Sequence, residues 1–399
     1  MTLPRLIFVN RVYWPSTAAT AQLLTDLAEN LSARGWPVHI ICAGKESGLH
    51  QGVMIHRAGS DDQPSSLLSR ARRYDAFRCC AEQQLTTLAG PDDIVVLMTD
   101  PPLLGAHLTD IALSRGARVI HWIQDIYPEI VTAHLGRLTA LLLWPWRSRR
   151  DVAWQTAHGC VTLSASMAAT VGCRAPASAV AIIPNWAPRE LQLPALPEAI
   201  AAYRENWGLA DKCIIAYSGN LGRVHEFKTI LAAAERLKNQ RAIAFLFIGA
   251  GARFDELRSA VASRQLQNIN FLPPVSRENL AVALAAADIQ LVTLNPVFAN
   301  LVYPSKLAGT LAAGRPVLFV GPPQGEITQL LTTEECGRTV QPGDDESLTE
   351  IITQWQLDRP HRHQLGLNAR AAYTKHFTLT HAVERWVDIL HRVAATVKS

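Results

Sequence analysis

Three stretches of the chain carry residue types that could do chemistry. The first is Ser218-Gly219-Asn220-Leu221-Gly222-Arg223, which follows the apolar run Cys213–Tyr217 and precedes a helical stretch. Glycines directly after a strand let backbone approach a phosphate closely, and Arg223 offers a fork-shaped donor to a diphosphate. The spacing is not G-x-G-x-x-G, so a nicotinamide-type fingerprint is not supported, and many strand-to-helix turns hold two glycines without a ligand. The second is Ser305-Lys306. Tyr303-Pro304 ends an irregular segment, Ser305 suits a helix N-cap, and Lys306 falls in a first turn where the dipole disfavours a cation. An anion between the lysine and the backbone N–H groups would resolve that conflict; the plainer alternative is a capping serine beside a solvated lysine.

The third lies in the first half. Asp125 stands just beyond the run Arg118–Ile123, and Ser16-Thr17-Ala18-Ala19 makes a small-residue turn after the first strand. A carboxylate at the carboxyl end of a strand could position a hydroxyl or stabilise developing positive charge. For an isolated aspartate, an Asx-type turn before Pro128 is the simpler reading. His121 reads as a core histidine. Gly249-Ala250-Gly251 reads as a turn, and Phe271-Leu272-Pro273-Pro274 either offers backbone groups where a flat base could stack or is a simple proline turn. No D-x-D occurs, so no carboxylate-held metal on a diphosphate is indicated.

The elements that must hold these residues alternate strand and helix. Leu6–Asn10, Val38–Cys42, Met54–Arg57, Ile94–Met98, Arg118–Ile123, Cys160–Leu163 and Val180–Ile183 read as strands. Helices are expected over Ala18–Arg34, Ser66–Leu88, Leu104–Arg115 and Leu138–Thr156. Prolines at 188, 194 and 197 mark a boundary. The pattern then restarts with strands at Cys213–Tyr217, Ile243–Ile248, Asn270–Leu272, Ile289–Leu294 and Pro316–Val320, and the tail from Glu346 onward is helical. Short, nearly continuous apolar strands argue parallel sheets covered on both faces. The expected division is a first domain over 1–186, a linker over 187–209, a second domain over 210–378 and a final helix over 379–399.

A chain of 399 residues exceeds one ordinary core. A net charge of +4 is too small to imply nucleic acid as partner. Seven cysteines, with no C-x-x-C, indicate neither zinc nor a disulfide framework and point to a reducing compartment. TLPRLIFVN reads as a first strand rather than a signal peptide, and no run approaches the ~18 apolar residues of a membrane span. Leu138–Arg150 (LTALLLWPWRSRR) and Arg70–Tyr74 mix apolar or aromatic residues with arginines, as at the headgroup boundary of an anionic bilayer; a buried helix with a solvated basic end is the alternative.

In order along the chain, ATAQLLTDLAENLSARGWPVHII, WIQDIYPE, VTLSASM, IIPNW, YSGNLGRVHEF, FLFIGAG, FLPPVSRENL, AADIQLVTL and YPSKLAGTLAAGRPVLFVG resemble glycosyltransferase family 4, in its bacterial surface-polysaccharide branch. The resemblance implies a GT-B fold: two Rossmann-like parallel-sheet domains facing a cleft, with a C-terminal helix crossing back to the first domain. It implies a retaining transfer from a nucleotide-sugar donor to a lipid-linked acceptor, with no metal or other cofactor, on the cytoplasmic side of the membrane. Diphosphate contacts map to Gly219, Asn220, Arg223, Ser305 and Lys306, and the cleft residue to Asp125; Gly222 of the same turn, and Phe271 and Leu272 where a base could stack, join them as donor-site candidates from the residues themselves. The acceptor turn maps to Ser16, Thr17 and Ala18, where the family's glycine is missing. The family's E-x7-E signature would put glutamates at Leu301 and Gly309; both are absent, and Glu326 is the candidate carboxylate. The turn's usual Arg and Lys fall on Asn220 and His225. Two other readings stand beside transfer: a nucleotide-sugar epimerase of similar architecture, and a catalytically silent partner subunit.

Overall fold

The computed structural model describes residues 3–60, 67–136, 138–175, 180–251 and 253–395. Ser66, expected to open a helix, and Thr396 and Val397, expected to extend the last one, lie outside the described residues. The chain forms two compact units. The first holds Met1–Asn185, Asn300–Tyr303 and Leu379–Ser399; the second holds Trp186–Ala299 and Pro304–Thr378.

The first unit runs β1 (Leu6–Val9), α1 (Ala19–Ala33), β2 (Val38–Cys42), β3 (Gly48–His50), β4 (Val53–Arg57), α2 (Leu67–Leu88), β5 (Ile94–Met98), α3 (Leu104–Ser114), β6 (Arg118–Trp122), α4 (Glu129–Leu135), α5 (Leu138–Thr156), β7 (Gly159–Thr162), α6 (Ala165–Gly172) and β8 (Val180–Ile182). Its strand order is β3-β4-β2-β1-β5-β6-β7-β8. All neighbours pair in parallel except the β3–β4 hairpin, an antiparallel edge absent from the sequence reading. Every residue of β1 and β5 is buried, which explains why these strands read as unbroken apolar runs. Consecutive strands spread from β1 to one side and from β5 to the other, so the topology switches between these two parallel neighbours. Ligands of open α/β sheets gather beyond the strand ends at such a point.

The second unit runs α7 (Pro197–Asn206), β9 (Cys213–Ser218), α8 (Lys228–Arg236), β10 (Ile243–Ile248), α9 (Phe254–Ser263), β11 (Ile269–Leu272), α10 (Arg277–Ala285), β12 (Ile289–Thr293), α11 (Lys306–Ala312), β13 (Val317–Val320), α12 (Glu326–Thr333), β14 (Gly337–Val340), α13 (Asp345–Leu357) and α14 (Arg359–His376). Its six parallel strands lie in the order β11-β10-β9-β12-β13-β14, with the switch between β9 and β12.

Two expectations need correction. Residues 187–209 are not a free linker: they hold a 3-10 turn, Arg189–Leu191, and α7, and belong to the second unit. There Glu190 pairs with Arg277 at 2.9 Å and the Leu191 carbonyl accepts from Arg370 at 2.7 Å. Asn300–Tyr303, expected in the second domain, pairs instead with the first unit, where Ile126 N–H donates to the Leu301 carbonyl at 2.9 Å. The final helix α15 (Leu379–Ala394) also completes the first unit. Val383, Trp386, Leu390 and Val393 recur at helical spacing and are buried. Trp386 meets Trp122 edge-on at 5.0 Å; truncating such a side chain typically costs about 3–5 kcal/mol.

Candidate active site

The turn after β9 is shaped around a lysine. Gly219 sits at φ 130°, and a Cβ there would lie 2.4 Å from Cε of Lys306. Only glycine provides both the backbone angle and the space. The turn is braced from behind: Gly219 N–H donates to the Ile248 carbonyl and Leu221 N–H to the Ala250 carbonyl, both at 2.8 Å. A Cβ on Gly249 would fall 2.1 Å from the Gly219 carbonyl oxygen. The Gly249-Ala250-Gly251 segment is therefore a buttress for the first turn.

Lys306 opens α11 and its Nζ lies 3.1 Å from Nε2 of His225. The Nδ1 of His225 lies 2.9 Å from the Thr293 carbonyl oxygen. A carbonyl can only accept, so the ring proton is on Nδ1 and Nε2 receives the lysine's N–H. Burial first, then the Lys306 charge, pushes His225 down to about 3, so the ring stays neutral. The ammonium also faces the Tyr217 ring at 5.0 Å, and the Tyr217 hydroxyl donates to the Asn220 carbonyl at 2.8 Å. Among the described residues no carboxylate lies within ion-pair distance of Lys306, and burial pulls its pKa down to about 8. Gly219 directly follows β9 and Thr293 ends β12, so this cluster stands at the switch point of the second sheet.

The other expected residues divide. Asn220 and Arg223 are exposed on the turn, and Gly222 is half-buried. Ser305 is exposed, has helical angles and makes no cap bond, so the expected N-cap is not formed. Phe271 is packed against Phe247 at 5.7 Å, and the Leu272 carbonyl is taken by Gly249 N–H at 3.0 Å; Pro273 and Pro274 beyond them are exposed. Glu326 is the first residue of α12, where the helix dipole favours a carboxylate. Position 309 is buried beside Leu191 and Leu284, a site with no room for a charged side chain.

In the first unit, Asp125 is half-buried and bridges Val302 through its backbone. Burial, with Asp100 nearby, pushes its carboxyl up to about 6. His121 is the core residue expected, bonded to Thr109 at 3.0 Å and lowered to about 4 by burial. Ser16, Thr17 and Ala18 line a pocket at the start of α1. The basic end of Leu138–Arg150 is only partly solvated, with Arg149 exposed and Arg150 buried. Arg150 is buried between Glu129 and Asp151, and Arg149 donates to the Ala106 carbonyl at 3.0 Å. Apolar side chains are exposed as well: Leu138 is 84%, Leu141 78% and Trp144 63% accessible.

Residues 200–372 match the family model described as Glycosyl transferases group 1. The second unit carries a group 1 glycosyl transferase domain. With two parallel-sheet units, the chain has the GT-B fold, and the family match over its second unit supports a glycosyltransferase. It is 28% identical over 295 residues to a Pseudomonas aeruginosa protein named as the probable glycosyltransferase WbjE, covering 72% of each chain. It is 31% identical over 177 residues to an Escherichia coli protein named "Putative colanic acid biosynthesis glycosyl transferase WcaI", covering 44% of this chain and 43% of that one. The crystal structure of Anabaena Alr3699/HepE in complex with UDP-glucose superposes with a TM-score of 0.74 at 16% identity, over 97% of this chain and 99% of that one.

His225 escaped the sequence reading as a partner of Lys306. Its only signal was its place where the family's turn usually has a lysine.

Proposed function

We propose that the protein is a retaining, family 4 glycosyltransferase in exopolysaccharide, capsule or O-antigen synthesis. It moves a hexosyl or N-acetylhexosaminyl group from a nucleoside-diphosphate sugar to a polyprenyl-diphosphate-linked acceptor. The observation that carries this reading is Lys306: an ammonium held by a neutral histidine and an aromatic face, with no carboxylate beside it, in a group 1 domain. A diphosphate is the anion such a cation fits. The neighbour HepE, captured with UDP-glucose, and the relative WcaI, named for colanic acid, support the donor and product classes.

In this reading Gly219, Asn220 and Gly222 bring backbone to the diphosphate, and Lys306, Arg223 and the Ser305 hydroxyl donate to it. The nucleoside lies at Phe271–Leu272, with Glu326 on the ribose. Asp125 positions the acceptor hydroxyl, and Ser16, Thr17 and Ala18 hold the acceptor. The bond from the anomeric carbon to the diphosphate breaks while the acceptor oxygen bonds on the same face. The hydroxyl proton passes to the leaving diphosphate, and no metal is needed. Positioning and donors aimed at the developing charge supply the catalysis. The exposed leucines and tryptophan of α5 suit the inner face of an anionic membrane; no helix among the described residues is long and apolar enough to cross one.

The test is turnover. Lys306→Ala and Arg223→Ala are each expected to cut transfer at least about a hundredfold, since one lost donor raises the barrier by roughly 3 kcal/mol. Near-normal turnover in both variants would sink the assignment. Thermal shift with UDP-, GDP- and dTDP-sugars identifies the donor.

A further inference from the structure

A pocket of about 670 Å³ opens at the switch point of the first sheet, lined by four guanidinium groups: Arg11, Arg57, Arg70 and Arg73. They come from three places in the chain. Arg11 follows β1 and is bound at two points to Asp100, at 2.9 and 3.0 Å. Arg57 ends β4 and donates only to neutral groups, among them the carbonyls of Ala43 at 2.8 Å and Trp14 at 2.7 Å. Arg70 and Arg73 lie one turn apart on α2. Among the described residues, Nε and Nη1 of Arg73 are buried and have no hydrogen-bond partner. Ser16 and Thr17 complete the wall where α1 begins, and that helix has no acidic residue in its first turn and no side-chain cap.

Among the described residues that line this pocket none is a carboxylate, and Asp100 reaches it only through its pair with Arg11. Only Arg11 has an ion-pair partner among the described residues, so the remaining guanidinium charges face the recess together. Buried donors left without acceptors are unfavourable, and a ligand that supplies the acceptors removes that penalty. Guanidinium forks match phosphate oxygens two at a time, and arginines from both β4 and α2 can engage more than one phosphate. We infer that this pocket binds the diphosphate of the acceptor, an isoprenoid diphosphate. This rests on the reading of the acceptor as lipid-linked.

The experiment is calorimetric titration of inorganic pyrophosphate into Lys306→Ala protein, where the lysine of the second unit contributes nothing. Adding Arg73→Gln is expected to weaken binding at least tenfold, and adding Arg73→Lys to weaken it less. Equal affinity with and without Arg73→Gln overturns the inference. Should that variant melt early, Arg70→Gln, at an exposed position, is expected to weaken binding in the same direction. Farnesyl diphosphate identifies the source: binding tighter than pyrophosphate and dependent on Arg73 supports an isoprenoid ligand, and no gain over pyrophosphate overturns that assignment. Arg73-dependent binding to phosphatidylglycerol vesicles with no response to pyrophosphate also overturns it, in favour of a lipid headgroup. The two readings fail separately. Sugar transfer with an unchanged acceptor KM in Arg73→Gln discards the pocket and keeps the function. Arg73-dependent diphosphate binding with no transfer from any nucleotide sugar discards the function and keeps the pocket.

Discussion

Lys306 and Asp125, one in each unit, are ionisable groups whose surroundings oppose their charge, and the two are of opposite sign. Lys306 in the second unit is drawn down to about 8, and Asp125 in the first is pushed up to about 6, both chiefly by burial. Arg150 and Asp93 are buried charges with partners: Arg150 has Glu129 and Asp151, and Asp93 has Arg5 at 2.7 Å. Among the described residues Lys306 has a neutral imidazole and a ring face and no carboxylate, so it stays a cation that is not cancelled. Asp125 has another carboxylate, Asp100, nearby, which drives it further toward the neutral form. Burial without a counter-charge marks groups poised for a ligand or a proton. The second unit is thus prepared to receive negative charge, and the first holds a carboxyl that titrates near neutral pH.

Removing the space beside the lysine tests this difference most severely. In Gly219→Ala the new methyl would stand where Lys306 Cε now passes, on a backbone angle that alanine resists. Turnover is expected to fall at least about a hundredfold, as for loss of the lysine itself. Steady-state kinetics that leave donor KM and kcat unchanged would separate Lys306 from the turn and remove half of the comparison.

The next effect is smaller and graded. A diphosphate that binds the ammonium raises its pKa, so binding near pH 8 takes up a proton. Affinity for the nucleoside diphosphate is expected to hold below pH 8 and to fall by about tenfold per unit above it. Titration in buffers of different ionisation enthalpy reads the uptake directly. A pH-independent affinity between 7 and 9, with no proton taken up, would mean that the anion sits elsewhere.

How much of this could be read from the chain follows from what kind of information each feature needs. Strands such as Ile94–Met98 and Ile243–Ile248 were legible because burial on both faces writes them as unbroken apolar runs. Gly48–His50 escaped because an edge hairpin is largely exposed, and Gly337–Val340 because its strand mixes exposed and buried residues. Gly219 and Lys306 could be named as separate candidates, but their contact depends on Gly249 and His225, which propensity does not link to them. The arginine pocket was illegible for the same reason: Arg11, Arg57 and Arg73 lie on different elements, and the local run Arg70–Tyr74 pointed to a membrane instead. Arg150 was misread because Glu129, which buries it, is not among the neighbours visible in its own helix.

Asp125 gives the smallest and most diagnostic effect. A carboxyl whose folded pKa is raised, here from 3.8 to about 6, favours the folded state in its protonated form. That contribution is complete below about pH 4 and is lost as pH rises through 6, so at pH 7.5 the ionised group opposes folding. Asp125→Asn is nearly isosteric and cannot ionise. It is expected to melt higher than the native chain by a few degrees at pH 7.5, on the order of 1 to 3 kcal/mol, and at the same temperature at pH 4. The same variant should lose transfer activity if the carboxylate positions the acceptor hydroxyl. Gain of stability with loss of turnover would mark Asp125 as a group kept for function against the preference of the fold. A variant destabilised at pH 7.5 would instead make Asp125 a structural residue, and of the two only Lys306 would be left as a charge held open for a substrate.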